Sequence, residues 1–187
     1  MKKIVIFASG TGSNAEKIIL HFKKSNLGNV VAIFSNNPRA KVLQLAENHA
    51  ISSVVFNKGE LNDGVVLKVL NEIQPDLIVL AGFLWKFPAS IIQQYPNKVI
   101  NIHPALLPKY GGKGMYGMHV HQAVLENKEV ETGITIHYVN ENYDEGAFIF
   151  QKAVAIEDCT TSEQIAEKVH QLEHEFFSVV IERLLEG

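Results

Sequence analysis

Apolar residues fall into short blocks separated by polar punctuation, and the blocks alternate between two periods. Ile4-Val5-Ile6-Phe7-Ala8 is continuously apolar and ends in a Gly/Ser/Asn cluster, as expected of a strand buried on both faces of a parallel sheet. The following AEKIILHFKK puts Ile18, Ile19 and Phe22 on one face and Lys17, Lys23 and Lys24 largely elsewhere. This spacing predicts an amphipathic helix, stopped by Gly28. Val30 to Phe34 repeats the strand signature, and Lys41 to Asn48 carries Val42, Leu45 and Ala46 at helical spacing. Ser53 to Phe56 predicts a short third strand, Val65 to Leu70 a helix ended near Pro75, and Asp76 to Gly82 a fourth strand. Pro88 suits the first turn of a helix to about Tyr95. Lys98 to Ile102 predicts the fifth strand, which delivers Asn101 and His103 to its C-terminal end.

Beyond residue 103 the pattern changes. Gly133 to Val139 and Phe148 to Val154 have strand propensity with partial alternation and flank the polar turn NENYDEG, so they should pair antiparallel at the sheet edge. Ser162 to Leu185 predicts a closing helix, capped by Thr161 or Ser162, with Ile165, Val169, Leu172 and Phe176 along one stripe. The expected class is α/β: an open, mostly parallel Rossmann-like sheet flanked by helices on both faces, with antiparallel strands in the C-terminal part. No repeat, linker or low-complexity stretch interrupts the chain, so residues 1–187 are read as a single domain.

Composition narrows the function classes. The 187 residues hold 17 Lys+Arg against 20 Asp+Glu, a formal charge of −3, and 47% are apolar. That balance lacks the basic excess that drives general binding to nucleic-acid backbones. The longest strongly apolar run, Leu77 to Trp85, contains a glycine and falls far short of the roughly 20 residues that cross a bilayer. MKKIVIFASG runs straight into GTGSN rather than a cleavage site, so it reads as a strand and not a signal peptide. A cytoplasmic protein is expected, with neither membrane nor nucleic acid as partner. The single cysteine, Cys159, permits no intramolecular disulfide and no cysteine metal cage.

Three constellations could carry chemistry. Ser9-Gly10-Thr11-Gly12-Ser13-Asn14 follows the first strand and opens the first helix, where close backbone approach and free N–H groups form an anion site suited to phosphate. It lacks the third glycine of a dinucleotide fingerprint and the G-K-[ST] of a P-loop; the alternative is a plain turn capped by Ser13. Asn101-Ile102-His103-Pro104 sits where open α/β sheets bind ligands, and residues i and i+2 of a strand face the same way. A carboxamide there can donate to an oxyanion and an imidazole can move a proton, unless both only satisfy loop backbone. Asp144 lies in an acidic turn with Glu141 and Glu145, usually solvated positions; held near His103, it would raise the imidazole pKa by favouring the cation. His119-Val120-His121 has the look of a metal pair but lacks a third ligand at diagnostic spacing, so helix-start packing is the plainer reading. Cys159 carries no nucleophile signature.

Several pieces together resemble the folate-dependent formyltransferases: IVIFASGTGSN, FSN at Phe34 to Asn36, LAGF at Leu80 to Phe83, NIHPALLPKY from Asn101 to Tyr110, the His119 to Asn127 segment, TGITIHYVNENYDEG, and QLEH at Gln171 to His174. They follow the family's order and span nearly the whole chain. The resemblance implies transfer of a formyl group from 10-formyltetrahydrofolate, as co-substrate, to the amine of glycinamide ribonucleotide in purine synthesis. No metal and no covalent enzyme intermediate are implied. Asn101, His103 and Asp144 would be the catalytic trio, with Asp144 keeping His103 protonated. Gly12, Ser13 and Asn14 would meet the ribonucleotide phosphate, and Glu173 the same substrate from the last helix. Leu84, Trp85, Lys86 and Phe87 would line the folate pocket, helped by Asn101 and by Val139, Asn140 and Asp144.

The chain departs from the family pattern at two places. GGKGMYGM, from Gly111 to Met118, lengthens the loop before His119 and reads as a mobile flap, and Trp85 stands where an Arg is common. Partners are expected to be small-molecule substrates, with the protein a monomer or weak homodimer. The alternatives are a formyltetrahydrofolate hydrolase, a formyltransferase for another amino-sugar nucleotide, and a non-catalytic phosphate-binding module. The first usually carries an added regulatory domain for which the length leaves no room, and the last is disfavoured by the presence of the whole trio.

Overall fold

Isolated β-branched and aromatic blocks become the strands of one seven-stranded sheet in the computed structural model, which describes residues 1–187. In chain order the elements are β1 (Lys2–Phe7), α1 (Ser13–Phe22), β2 (Gly28–Ser35), α2 (Lys41–Asn48), β3 (Ser52–Val55), α3 (Lys58–Asn62) and α4 (Val65–Ile73). There follow β4 (Leu77–Leu80), α5 (Ala89–Gln94), β5 (Val99–His103), α6 (Met118–Glu126), β6 (Glu131–Tyr138), β7 (Phe148–Ala155) and α7 (Ser162–Glu186). Strand order is β3-β2-β1-β4-β5-β6-β7. The first five strands are parallel, and β6 and β7 run antiparallel to their neighbours. The expected α/β class and the C-terminal hairpin both hold.

Alternate side chains of the buried strands feed two cores, because successive Cβ atoms point to opposite faces. Ile4, Ile6, Ile100 and Ile102 pack with α1, α2, α6 and α7, while Val5, Phe7, Phe34, Ile78 and Val99 pack with α3, α4 and α5. α7 begins with a capping box in which Thr161 accepts from the Gln164 N–H, two orphan donors being satisfied reciprocally. Its buried stripe is Ile165, Val169, Leu172 and Phe177; Phe176, the residue expected from the sequence, is only half-buried and packs on Phe150. Over a helix this long the strict sequence spacing drifts relative to the sheet. α3 was not expected: it is five residues long, too short for periodicity to reveal, and is held by a capping box between Asn57 and Glu60. No helix is long and apolar enough to cross a membrane.

The order 3-2-1-4-5 reverses direction between β1 and β4. Loops leaving these two strands therefore diverge and open a crevice at the carboxyl ends, the switch point of open α/β sheets. Ser9 ties the crevice together. Its Oγ donates to Asn36 Oδ1 at 2.7 Å and accepts from the Leu84 N–H at 3.1 Å, joining the loops that follow β1, β2 and β4.

Candidate active site

Every residue that the resemblance assigns to the site lines one cavity of about 690 Å³: Gly12, Ser13, Asn14, Leu84, Trp85, Lys86, Phe87, Asn101, His103, Val139, Asn140, Asp144 and Glu173. The local reasons differ. Gly12 precedes α1 in the left-handed region, with φ 80°, and no side chain caps the helix; Ser13 is the first helical residue and not the cap that the alternative reading of this turn required. The amide N–H groups at this end have no intrahelical partner, so they are available to an anion. Asn14 reaches across to α7, where its Nδ2 donates to Glu173 Oε2 at 2.9 Å. Glu173 is 6% exposed, and burial pushes its carboxyl up from the ordinary range.

The loop after β4 is anchored by aromatic stacking. Phe83 and Phe87 pack edge-on against Phe7 at 5.5 and 5.0 Å, and Trp85 packs edge-on against Phe56 at 6.3 Å. Such pairs hold offset or T-shaped geometry, so the loop presents an apolar wall while Leu84 stays exposed.

Asn101 and His103 project to the same side of β5, and antiparallel pairing puts His137 directly opposite Asn101 and Thr135 opposite His103. Thr135 Oγ1 donates to the Ala105 carbonyl at 2.7 Å and accepts from the Leu107 N–H at 3.0 Å, which holds the turn that follows His103. The loop after β6 folds back so closely that a Cβ on Gly146 would lie 1.6 Å from the Tyr138 carbonyl oxygen. Only glycine permits that approach, and it swings Asp144 into the sheet end. Asp144 Oδ2 lies 3.5 Å from His103 Nδ1 and Oδ1 lies 3.5 Å from His137 Nε2. Oδ2 also accepts from the Gly112 N–H at 3.1 Å.

His103 Nε2 is 2.6 Å from the Tyr110 carbonyl oxygen. A carbonyl only accepts, so the proton of the neutral imidazole rests on Nε2 and Nδ1 is bare, facing Asp144. Asp144 does pull the His103 pKa upward, as expected, but the expectation that it keeps His103 protonated is corrected here. Burial lowers the pKa and outweighs the opposing pull of Asp144 and of the Tyr110 carbonyl, because removing an imidazolium from water costs more than a carboxylate 3.5 Å away returns. For Asp144 the balance runs the other way: burial works to raise its pKa and is outweighed by the Gly112 N–H and by His137 and His103, which at the acid pH where a carboxyl titrates are themselves protonated, so its carboxyl lies below the ordinary range. The resting site holds a neutral imidazole beside a carboxylate.

Two neighbours, His137 and His170, have no reading as site residues from the sequence, and a third, His121, reads there as half of an incomplete metal pair. His137, buried, contacts both Asn101 and Asp144; its place opposite Asn101 depends on strand register, and the only sequence signal was its alternation with Thr135 on β6. His170 lines the cavity from α7, one turn before Glu173 and His174. His121 is 2% exposed and faces His170 edge-on at 6.5 Å. His119 instead lies outside, against Tyr116. The glycine-rich stretch 111–118 forms part of the cavity wall through Gly112 to Met118, so it does lie over the site as a flap would.

The chain as a whole has known relatives. The family described as formyl transferase matches residues 2–181. The chain is 38% identical to phosphoribosylglycinamide formyltransferase of Bacillus subtilis, over 99% of this chain and 95% of that protein. It is also 38% identical to the chloroplastic protein of that name from Arabidopsis thaliana, over 99% of this chain, and spans 66% of that longer protein's length. Among solved structures, glycinamide ribonucleotide transformylase 1 from Geobacillus kaustophilus superposes with a TM-score of 0.90 at 32% identity, covering 99% of each chain. With the family matched over residues 2–181 and a bacterial relative 38% identical along 95% of its own length, the chain belongs to the formyl transferase family.

Proposed function

We propose that this chain is a phosphoribosylglycinamide formyltransferase, moving the formyl group of 10-formyltetrahydrofolate to the primary amine of glycinamide ribonucleotide. The observation that carries the reading is the meeting of Asn101, His103 and Asp144 in one cavity that also holds the Gly12–Asn14 turn with Glu173 and the Leu84–Phe87 wall. The names of the full-length bacterial relatives support it. The packing of α7 against α1 and β6 supports one formyltransferase domain over residues 1–187.

In this reading the ribonucleotide phosphate accepts hydrogen bonds from the amide N–H groups at the start of α1, and Asn14 and Glu173 bind the same substrate. A chain of formal charge −3 gains little from long-range attraction to an anion, so directed donors do the binding. The pterin lies beside Leu84, Trp85, Lys86 and Phe87 and against Val139 and Asn140.

The amine lone pair attacks the formyl carbon, a C–N bond forms, and the carbonyl π pair moves onto oxygen. Asn101 donates an N–H to that oxygen. The attacking nitrogen is now cationic and sheds a proton to His103 Nδ1, the bare nitrogen. The resulting imidazolium is paired with Asp144 and stabilises the negative oxygen. It then returns the proton to the folate nitrogen as the C–N bond to folate breaks and the carbonyl reforms, so the enzyme ends each turnover in the protonation state in which it began.

The test is to mix the protein with 10-formyltetrahydrofolate and glycinamide ribonucleotide and follow deformylated folate, with an acceptor-free control. Acceptor-dependent release is expected. Release without acceptor would mark a hydrolase, and no release with either would defeat the reading.

A further inference from the structure

We propose that His137 is a positioning residue for this reaction, holding the Asn101 carboxamide with its nitrogen as the group presented for hydrogen-bond donation. The inference rests on the formyl-transfer reading for its catalytic consequence, and on geometry alone for the hydrogen bond itself.

His137 is buried at the end of β6 and paired directly opposite Asn101. Its Nδ1 is 2.9 Å from the Tyr138 carbonyl oxygen. That oxygen has no proton to give, so Nδ1 must be the protonated nitrogen, and in the neutral ring Nε2 is left as an acceptor. Nε2 is 3.2 Å from Asn101 Nδ2. An acceptor at this place selects the NH₂ side of the amide and repels its carbonyl oxygen. The backbone of Tyr138 therefore decides, through one imidazole, which way a catalytic amide faces. One Asn101 N–H is spent on His137, and the other is left in a fixed direction for the developing oxyanion.

The same nitrogen lies 3.5 Å from Asp144 Oδ1, longer than a good N–H to oxygen bond. Nε2 cannot serve both neighbours at once: a proton there would pair with Asp144 and turn the Asn101 amide around. The shorter contact assigns the nitrogen to Asn101. The charged and titratable groups facing His137 are Asp144, from the loop after β6, and His103, from β5.

Two measurements test this. Two-bond proton–nitrogen NMR of the free, ¹⁵N-labelled protein, with the His137 ring assigned by its loss in His137→Gln, should show Nδ1 protonated and Nε2 bare at pH 7.5. A proton on Nε2 would overturn the proposal. In steady-state kinetics, His137→Leu should lower kcat about 10- to 100-fold while both KM values stay within about threefold, as for loss of a buried polar partner. His137→Gln, whose side-chain oxygen can accept from Asn101, should recover most of that loss, a rescue that bulk packing does not predict. A His137→Leu enzyme with wild-type kcat, a loss confined to KM, or a glutamine variant no better than leucine overturns it; if the leucine variant fails to fold, the NMR result and the glutamine variant's kcat decide. An inactive wild type with a bare Nε2 would sink the formyl-transfer reading and leave the hydrogen bond standing.

Discussion

The Asn14 amide donates to the Glu173 carboxylate at 2.9 Å, although 159 positions separate them. It joins the first helix to the last at the cavity wall. Asn14 Oδ1 is buried without a partner, and the other two such side-chain atoms in the chain, His121 Nδ1 and His174 Nε2, belong to α6 and α7. Unsatisfied buried polar atoms are uncommon, and Asn14 Oδ1 is one that a bound ribonucleotide can satisfy. Asn14→Ala removes the donor and strands Glu173 in a buried position, at a cost of about 1–3 kcal/mol. The expected outcome is a KM for glycinamide ribonucleotide raised about tenfold or more with a smaller change in kcat, together with a lower melting temperature. An unchanged KM would remove Asn14 from the substrate site.

In the proposed reaction Asn101 binds the developing oxyanion and His103 carries the transferred proton. Replacing either by alanine should cost about 2.7–4 kcal/mol of transition-state stabilisation, as for loss of an oxyanion donor elsewhere. Turnover should fall at least about 100-fold while the fold, read by circular dichroism, persists. His103→Ala with wild-type kcat would sink the assignment.

Burial pushes the His121 pKa down to about 4, with His170 and His103 nearby adding to the effect. The folded-state pKa is below that of the unfolded chain, so the unfolded state takes up a proton first as pH falls. Stability from this site is full above about pH 6.5 and declines toward pH 4, by about 2–3 kcal/mol at most. His103 is shifted the same way by burial and adds to the slope. Urea melts at pH 7.5, 6 and 4.5 should show the decline, and His121→Gln should flatten it. An equally steep decline in His121→Gln would assign the acid sensitivity elsewhere.

Gly12 is held at φ 80°, and a Cβ there would come within 2.6 Å of Val42 Cγ2 on α2. Gly12→Ala meets both the left-handed backbone penalty and a clash, together about 2 kcal/mol or more. Relief requires the turn to move away from α2, which carries the α1 amides with it. Lower thermal stability and weaker ribonucleotide binding should appear together in one calorimetric series; a fall in only one would separate the turn from the phosphate.

Trp85 stands on Phe56 and Phe83 at 6.3 and 6.5 Å and lines the cavity. Trp85→Ala should raise the KM for 10-formyltetrahydrofolate by about tenfold through lost apolar contact, and leave that for the ribonucleotide within about twofold. Equal changes in both would mean that the loop had collapsed.

Much of the fold could be read along the chain because its strands are buried on both faces. Ile4 to Ala8 and Asp76 to Gly82 are apolar without interruption, and a run of that kind bounded by glycine has few other uses. α1, α2 and α4 could be read because one stripe faces the sheet. α3 was illegible at five residues, and Phe177 displaced Phe176 because the register of a 25-residue helix against a sheet is decided by contact along its whole length. Within the site, Asn101 and His103 were legible as alternate residues of one strand, and the turn at Gly12 as a strand-to-helix junction. His137 and His170 were not, since nothing in their own segments distinguishes them from packing residues.

The sequence by itself determined the alternation of strands and helices, the carboxyl-end location of Asn101 and His103, and the chemistry on offer: an amide, an imidazole, a carboxylate and an anion-binding turn. Tertiary structure decided how they are used. The β5–β6 register set His137 against Asn101, and the fold-back at Gly146 brought Asp144 within 3.5 Å of two imidazoles. Enclosure shifts His103 toward the neutral imidazole, against the pull of its acidic neighbour toward the cation. The reason is physical: residue identity sets which protons and charges are possible, whereas desolvation and distance, which exist only once the chain has folded, set which of them are populated.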